Sequence, residues 1–170
     1  MMRHFTATAF VVDGPRTLLH WHKRLQQWMP PGGHIEADED PAQAVLREVA
    51  EETGLLAEVI PVQPTAAFAY PEQVPAPYTI LIEDIPGPAE PHKHIDMIYF
   101  CRPVGRSEGT VAADQTLRWV SEDELKGAEA LDVAGCGVSA RVPDDVRELA
   151  LIAIEVARQI EEISPKPRGA

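Results

Sequence analysis

The chain has 170 residues, 45% of them apolar, and carries 27 acidic against 15 basic side chains for a net charge of −12. That length and apolar share suit one globular domain with a sizeable core and exclude a disordered chain. The acidic balance excludes broad nucleic-acid binding, which needs basic patches against phosphate, and no apolar run nears the ~20 residues of a membrane span. Cys101 and Cys136 are the only cysteines. Two thiols without metal-ligand spacing suit a reducing cytosol and no disulfide framework. The opening MMRHFTATAFVV lacks the ordered regions of a secretory signal, so a cytoplasmic protein without membrane or nucleic-acid partners is expected.

Phe5 to Asp13 predicts a strand, Asp13-Gly14-Pro15 a turn, and Thr17 to Lys23 the hairpin partner. His20 and His22 alternate around Trp21 and point to one side, as a metal pair or, more commonly, as surface polar positions. Leu25 to Met29 reads as a loop. Pro31-Gly32-Gly33 reads as a tight turn where backbone can approach a ligand.

The stretch Gly33 to Leu55, GHIEADEDPAQAVLREVAEETGL, sets seven acids against one arginine, a net −6 within 23 residues. Asp40 is a good N-cap, Pro41 suits the first helical position, Gln43 completes a capping box and Gly54 stops the helix. A helix over Pro41 to Thr53 places Ala42, Val45, Leu46, Val49 and Thr53 on one face to pack on a sheet. Glu48, Glu51 and Glu52 fall on the other face, within an arc of roughly 100°. Such like-charge pairs cost a few tenths of a kcal/mol each on an exposed helix, and only Arg47 offsets them. Two readings fit: a solvated acidic face, or oxygen donors for a hard divalent cation such as Mg²⁺ or Mn²⁺.

Beyond it, Leu56 to Val62 predicts a strand. Pro61 to Pro91 holds eight of the sixteen prolines and cannot be one regular element. Strand pieces are expected at Ala66–Tyr70 and Tyr78–Glu83, joined by a stiff loop 71–77. Phe68, Tyr70 and Tyr78 suit either stacking on a base or ordinary packing. The strand His94 to Cys101 sets Ile95, Met97, Tyr99 and Cys101 on one face, read as core. His94 and Asp96 then face elsewhere, toward substrate or a polar strand entrance, with His92, Lys93 and His94 as phosphate contacts on the first reading.

Thr116 to Val120 predicts a strand, and Ser121 opens a short helix with a capping box. Asp145 to Glu162 predicts a long helix whose stripe (Val146, Leu149, Ala150, Ala153, Val156, Ala157, Ile160) docks on the sheet. A broader surface with Ile152 and Ile154 would support a homodimer. One domain over 1–163 and a frayed tail, 164–170, are expected.

The residues Gly33, Glu39, Arg47, Glu48, Val49, Glu51, Glu52, Gly54 and Leu55 fill G-x5-E-x7-R-E-U-x-E-E-x-G-U, with U a bulky apolar residue. This pattern resembles the Nudix box. Trp28-Met29-Pro30-Pro31-Gly32-Gly33 is similar to the family's W-x-x-P-G-G entry, and RWVSEDEL to the end of many of its domains. Asp38 stands where many members have Gly, outside the fixed pattern. The resemblance implies an α/β fold, an α/β/α sandwich with a mixed central sheet.

The resemblance also implies metal-dependent hydrolysis of a phosphoanhydride in a nucleoside diphosphate linked to another group, a small-molecule substrate. It implies Mg²⁺ or Mn²⁺ on Glu48, Glu51, Glu52 and the Gly33 carbonyl. Arg47 would orient Glu48 or Glu51, and Glu39 would be a structural partner or outer ligand. Glu51 or Asp114 would be the general base. Pro71, sixteen residues past Leu55, matches a family marker for ADP-ribose enzymes and leans the substrate toward ADP-ribose or a nucleotide sugar. The alternatives are a (deoxy)nucleoside triphosphate pyrophosphohydrolase and a binding module without hydrolysis. An isopentenyl diphosphate isomerase would need a cysteine setting that Cys101 and Cys136 lack.

Overall fold

The computed structural model describes residues 2–64, 70–85, 91–105 and 116–163. Its centre is a pair of parallel strands, β1 (Arg3–Val11) and β7 (His92–Pro103). They run in register from Arg3 opposite Lys93 to Val11 opposite Cys101. β4 (Gly32–His34) joins β1 antiparallel. β5 (Ala57–Val59) and β6 (Thr79–Ile85) take successive stretches of the other edge of β7, also antiparallel. The central sheet is therefore mixed.

Three expectations for the first half change. The turn after β1 does not make a hairpin: β1 and β2 (Arg16–His22) share one bridge, Val12 to Thr17. β2 instead pairs with β3 (Gln27–Met29) and β8 (Leu117–Ser121) in a separate three-stranded sheet. The reason is burial on both sides. Leu18 packs in one core and Leu19 and Trp21 in the other, and a strand apolar on both faces needs cover on both. The segment read as a loop supplies β3, which buries Trp28 against Trp21 with ring centroids 5.5 Å apart. The segment read as a tight turn runs into β4.

The helices follow their caps. In α1 (Pro41–Thr53), Asp40 accepts from the Ala42 and Gln43 amides at 2.8 and 2.9 Å, and Gln43 returns a bond to the Asp40 amide. Gly54 ends it at φ 69, a left-handed value that favours glycine. Ser121 and Glu124 form the same box on α2 (Glu122–Gly127). A short hairpin, β9 (Leu131–Val133) and β10 (Val138–Ala140), leads to α3 (Asp144–Ile163). The hairpin was absent from the sequence reading. Residues 66–69 of the expected strand Ala66–Tyr70 lie outside the described residues, as does the tail 164–170.

Two cores cover the two faces of β1 and β7. Ala7, Ala9, Val11, Tyr99 and Cys101 pack against Val45 and Val49 of α1. Phe10, Ile98 and Phe100 pack against Val146, Ala150, Ala153 and Ala157 of α3. β7 thus buries both faces, where the alternation argument gave it one. Ile154, assigned to a dimer surface, is 1% exposed and belongs to this core, while Ile152 is 38% exposed. No helix among the described residues is long and apolar enough to cross a membrane.

Candidate active site

The site begins with the apolar face of α1. Ala42, Val45 and Val49 are buried against the sheet, which leaves Glu48 and Glu52 beside β4 and Glu51 exposed on the same helix face. Arg47 binds this acidic face together. Its Nε donates to Glu39 at 2.6 Å and one terminal nitrogen donates to the other Glu39 oxygen at 3.1 Å, a bidentate pair. The second terminal nitrogen donates to Glu48 at 2.9 Å and Glu51 at 3.2 Å. The guanidinium also reaches the His34 carbonyl at 3.1 Å, tying α1 to β4. Bonding to Arg47 holds the Glu39 carboxyl below its usual range, and the same partners push Arg47 up.

Two glycines let β4 approach this helix. A β-carbon on Gly33 would fall 2.3 Å from a Glu48 oxygen. One on Gly32 would fall 2.7 Å from the Ala7 carbonyl and from the Thr8 hydroxyl. The Gly32 amide donates to Glu52 at 3.0 Å, and His20 Nε2 lies 3.8 Å from the same Glu52 oxygen. His22 does not join it: its Nδ1 accepts from the Leu25 amide in the turn before β3. Burial pushes the Glu52 carboxyl up, against the Gly32 bond and with the help of Glu48 and Glu51. The charge count adds to the effect of burial. Glu39, Glu48, Glu51 and Glu52 gather around one arginine, and the ionised site wants further positive charge. The donors are hard oxygens on a rigid helix, with Glu51 60% exposed and Glu48 14%. That set fits a divalent cation of the Mg²⁺ or Mn²⁺ type.

The other residues singled out in the sequence lie apart. Asp96 is 2% exposed and accepts from the Thr6 hydroxyl at 2.8 Å. Burial raises its carboxyl despite bonds from Thr6 and Thr8. By alternation along β7, His94 and Asp96 share the face of Ile98 and Phe100, opposite α1. Tyr70 is 89% exposed. Tyr78 stacks on Phe100 with centroids 4.4 Å apart. Asp114 and Phe68 lie outside the described residues. Sequence reasoning missed the approach of His20 to Glu52 and the gathering of His4 and His34 around His94. Neither has a local signal, because each joins distant segments.

A mixed sheet carrying a helix whose Glu48 and Glu51 are held by one arginine, and whose Glu48 and Glu52 meet a Gly-Gly strand, defines a class of acidic, cation-type site. The sequence matches the NUDIX domain over residues 2–135, and the chain belongs to that family. A hydrolase of the NUDIX family from Clostridium perfringens is similar in structure. Its TM-score is 0.68 at 25% identity, covering 92% of this chain and 99% of that one. A MutT NUDIX hydrolase from Burkholderia pseudomallei shares the fold, with a TM-score of 0.51 at 19% identity over 91% and 99% of the two chains. In sequence, a MutT-like protein of Streptomyces ambofaciens is 29% identical over 98 residues, 58% of this chain and 50% of that protein. An RNA pyrophosphohydrolase of Thioalkalivibrio sulfidiphilus is 50% identical over 47 residues, 26% and 27% of the two chains. The chain spans half or less of the length of these curated relatives.

Proposed function

We propose that this chain hydrolyses a phosphoanhydride bond in a nucleoside diphosphate linked to another group, with Mg²⁺ or Mn²⁺ as cofactor. The observation that carries the reading is the placement of Glu48 over Gly33 and of Glu52 on the Gly32 amide, with Arg47 holding Glu48 and Glu51 on the same helix. Family membership supports it.

Glu48, Glu51, Glu52 and the Gly33 carbonyl would hold the metal. When bound, a divalent ion neutralises phosphate oxygens and lowers the pKa of a water. The protein's part is placement. Arg47 fixes Glu48 and Glu51 without needing to touch substrate, since its donors point to Glu39, Glu48, Glu51 and the His34 carbonyl. Glu39 orients Arg47. Glu51 is the most exposed of the three box carboxylates on this helix face, so it is the group we assign to take the proton from the attacking water. Asp114 is the other option.

We favour ADP-ribose or a nucleotide sugar as substrate, on Pro71 and on exposed Tyr70 beside it, which can stack on a ring. A (deoxy)nucleoside triphosphate is the second reading. One relative's name specifies RNA; the net charge of −12 here argues against contact along an RNA backbone. The test is product release from ADP-ribose, ADP-sugars, the four dNTPs and 8-oxo-dGTP, with Mg²⁺, Mn²⁺ or EDTA. EDTA-sensitive AMP from ADP-ribose is the expected result. Pyrophosphate from a dNTP selects the second reading. Silence across the panel from folded, metal-loaded protein overturns both and leaves a binding module.

A further inference from the structure

We propose that His4, His92 and His94 form a second metal site, separate from the box carboxylates, that takes a borderline transition-metal dication such as Zn²⁺. One nitrogen from each ring lies within 4.8 Å of the others. The sheet explains why they meet. His4 on β1 stands directly opposite His94 on the parallel strand β7. His92 lies two residues before His94, so it shares that side of the sheet. Ring centroids are 4.7 Å apart for His4 and His92, and 5.2 Å for His92 and His94.

A fourth imidazole adjoins the group. His34 on β4 places Nε2 3.2 Å from Nδ1 of His4, and its ring centroid is 5.0 Å from that of His94. Four imidazoles from three adjacent strands therefore converge, from positions as distant as 4 and 94. A tetrahedral Zn²⁺ holds nitrogens at about 2.0–2.1 Å, hence about 3.4 Å from one another. The three nitrogens need to close by only about an ångström and a half to reach that spacing.

Chemistry separates this group from the box. Imidazole suits Zn²⁺, Ni²⁺, Cu²⁺ and Co²⁺, whereas carboxylate and carbonyl oxygens suit Mg²⁺ and Mn²⁺. A cation also suits it better than an anion. His94 Nε2 is buried with no hydrogen-bond partner among the described residues. Glu83 on β6 is paired with His94 across the strands, and Asp96 lies on the same face. Both favour a dication nearby.

The test uses full-length protein without a polyhistidine tag, in excess Mg²⁺ to occupy oxygen-donor sites. Zn²⁺ is titrated in competition with a chromophoric chelator, and Co²⁺ by its visible absorption. One equivalent of Zn²⁺ is expected in the wild type and in Glu48→Gln/Glu52→Gln. Its affinity is expected to fall about ten-fold or more in His92→Ala and again in His4→Gln. Circular dichroism melts confirm that each variant is folded. His92→Ala, at the first residue of β7, carries the test if His4→Gln unfolds. Unchanged Zn²⁺ affinity in a folded histidine variant, or its loss in the carboxylate variant alone, overturns the proposal.

Discussion

Glu48 lies so close over Gly33 that a β-carbon there would sit 2.3 Å from its carboxylate oxygen. The atom displaced by Gly33→Ala is the far end of a flexible side chain, so the fold adjusts cheaply. That side chain is also a proposed metal ligand. Gly33→Ala is therefore expected to lower turnover and Mg²⁺ affinity by at least ten-fold with little change in melting temperature. Gly32→Ala is the contrast. Its β-carbon meets backbone, 2.7 Å from the Ala7 carbonyl and 2.8 Å from the Thr8 Cα, so it is expected to lower the melting temperature. Activity assays paired with thermal melts distinguish the two effects.

Glu52→Gln removes a charge whose ionised form is disfavoured by burial and by Glu48 and Glu51. The neutral amide can still accept the Gly32 bond. Because the folded pKa is raised, Glu52's contribution to stability is present below its unfolded pKa and lost as pH rises through the folded one. The metal-free variant should then melt higher than the wild type at pH 7, and the two should converge toward acid. Turnover should fall by orders of magnitude. Near-normal turnover would sink its assignment as a ligand.

Arg47→Lys replaces a planar fork with a point charge. A lysine cannot hold Glu39 bidentately while reaching Glu48, Glu51 and the His34 carbonyl. We expect a fall in kcat larger than any change in KM, because the Arg47 donors already hold Glu39, Glu48, Glu51 and the His34 carbonyl. A rise in KM alone would move Arg47 to substrate contact.

The Glu39–Arg47 pair also predicts an acid limit. Glu39 is held below its usual range by Arg47, so the stability it contributes is present above its unfolded pKa and lost as pH falls through the folded one. Glu39→Gln should be destabilised relative to the wild type at pH 7, with the difference shrinking below about pH 4. Melting temperatures across pH 3–7 check the sign.

Asp96→Asn tests the buried carboxyl of β7. Burial raises Asp96, with Thr6 and Thr8 opposing, so its charge costs stability at neutral pH. The amide keeps an acceptor for the Thr6 hydroxyl. The variant should melt higher at pH 7, with the gain vanishing toward pH 3, where the wild-type carboxyl is protonated. An unchanged KM would release Asp96 from substrate contact, and a raised KM would restore it.

By itself the sequence determined α1 and the positions of the acids it carries. Asp40, Gln43 and Gly54 define the helix through bonds that reach no further than four residues. The spacing of Glu48, Glu51 and Glu52 then follows from helical pitch alone. α3 was legible for the same reason: its stripe is a local period. Only the tertiary structure decided the strand partners. Val12 and Thr17 adjoin in a hairpin-like turn, yet β2 leaves for β3 and β8, because Leu18 and Leu19 both need cover. Sheet pairing is non-local, and a register is set by which faces are buried. The same physics hid His20 beside Glu52 and His4 and His34 beside His94. No local spacing encodes them, because they meet only once strands distant in sequence have been laid side by side.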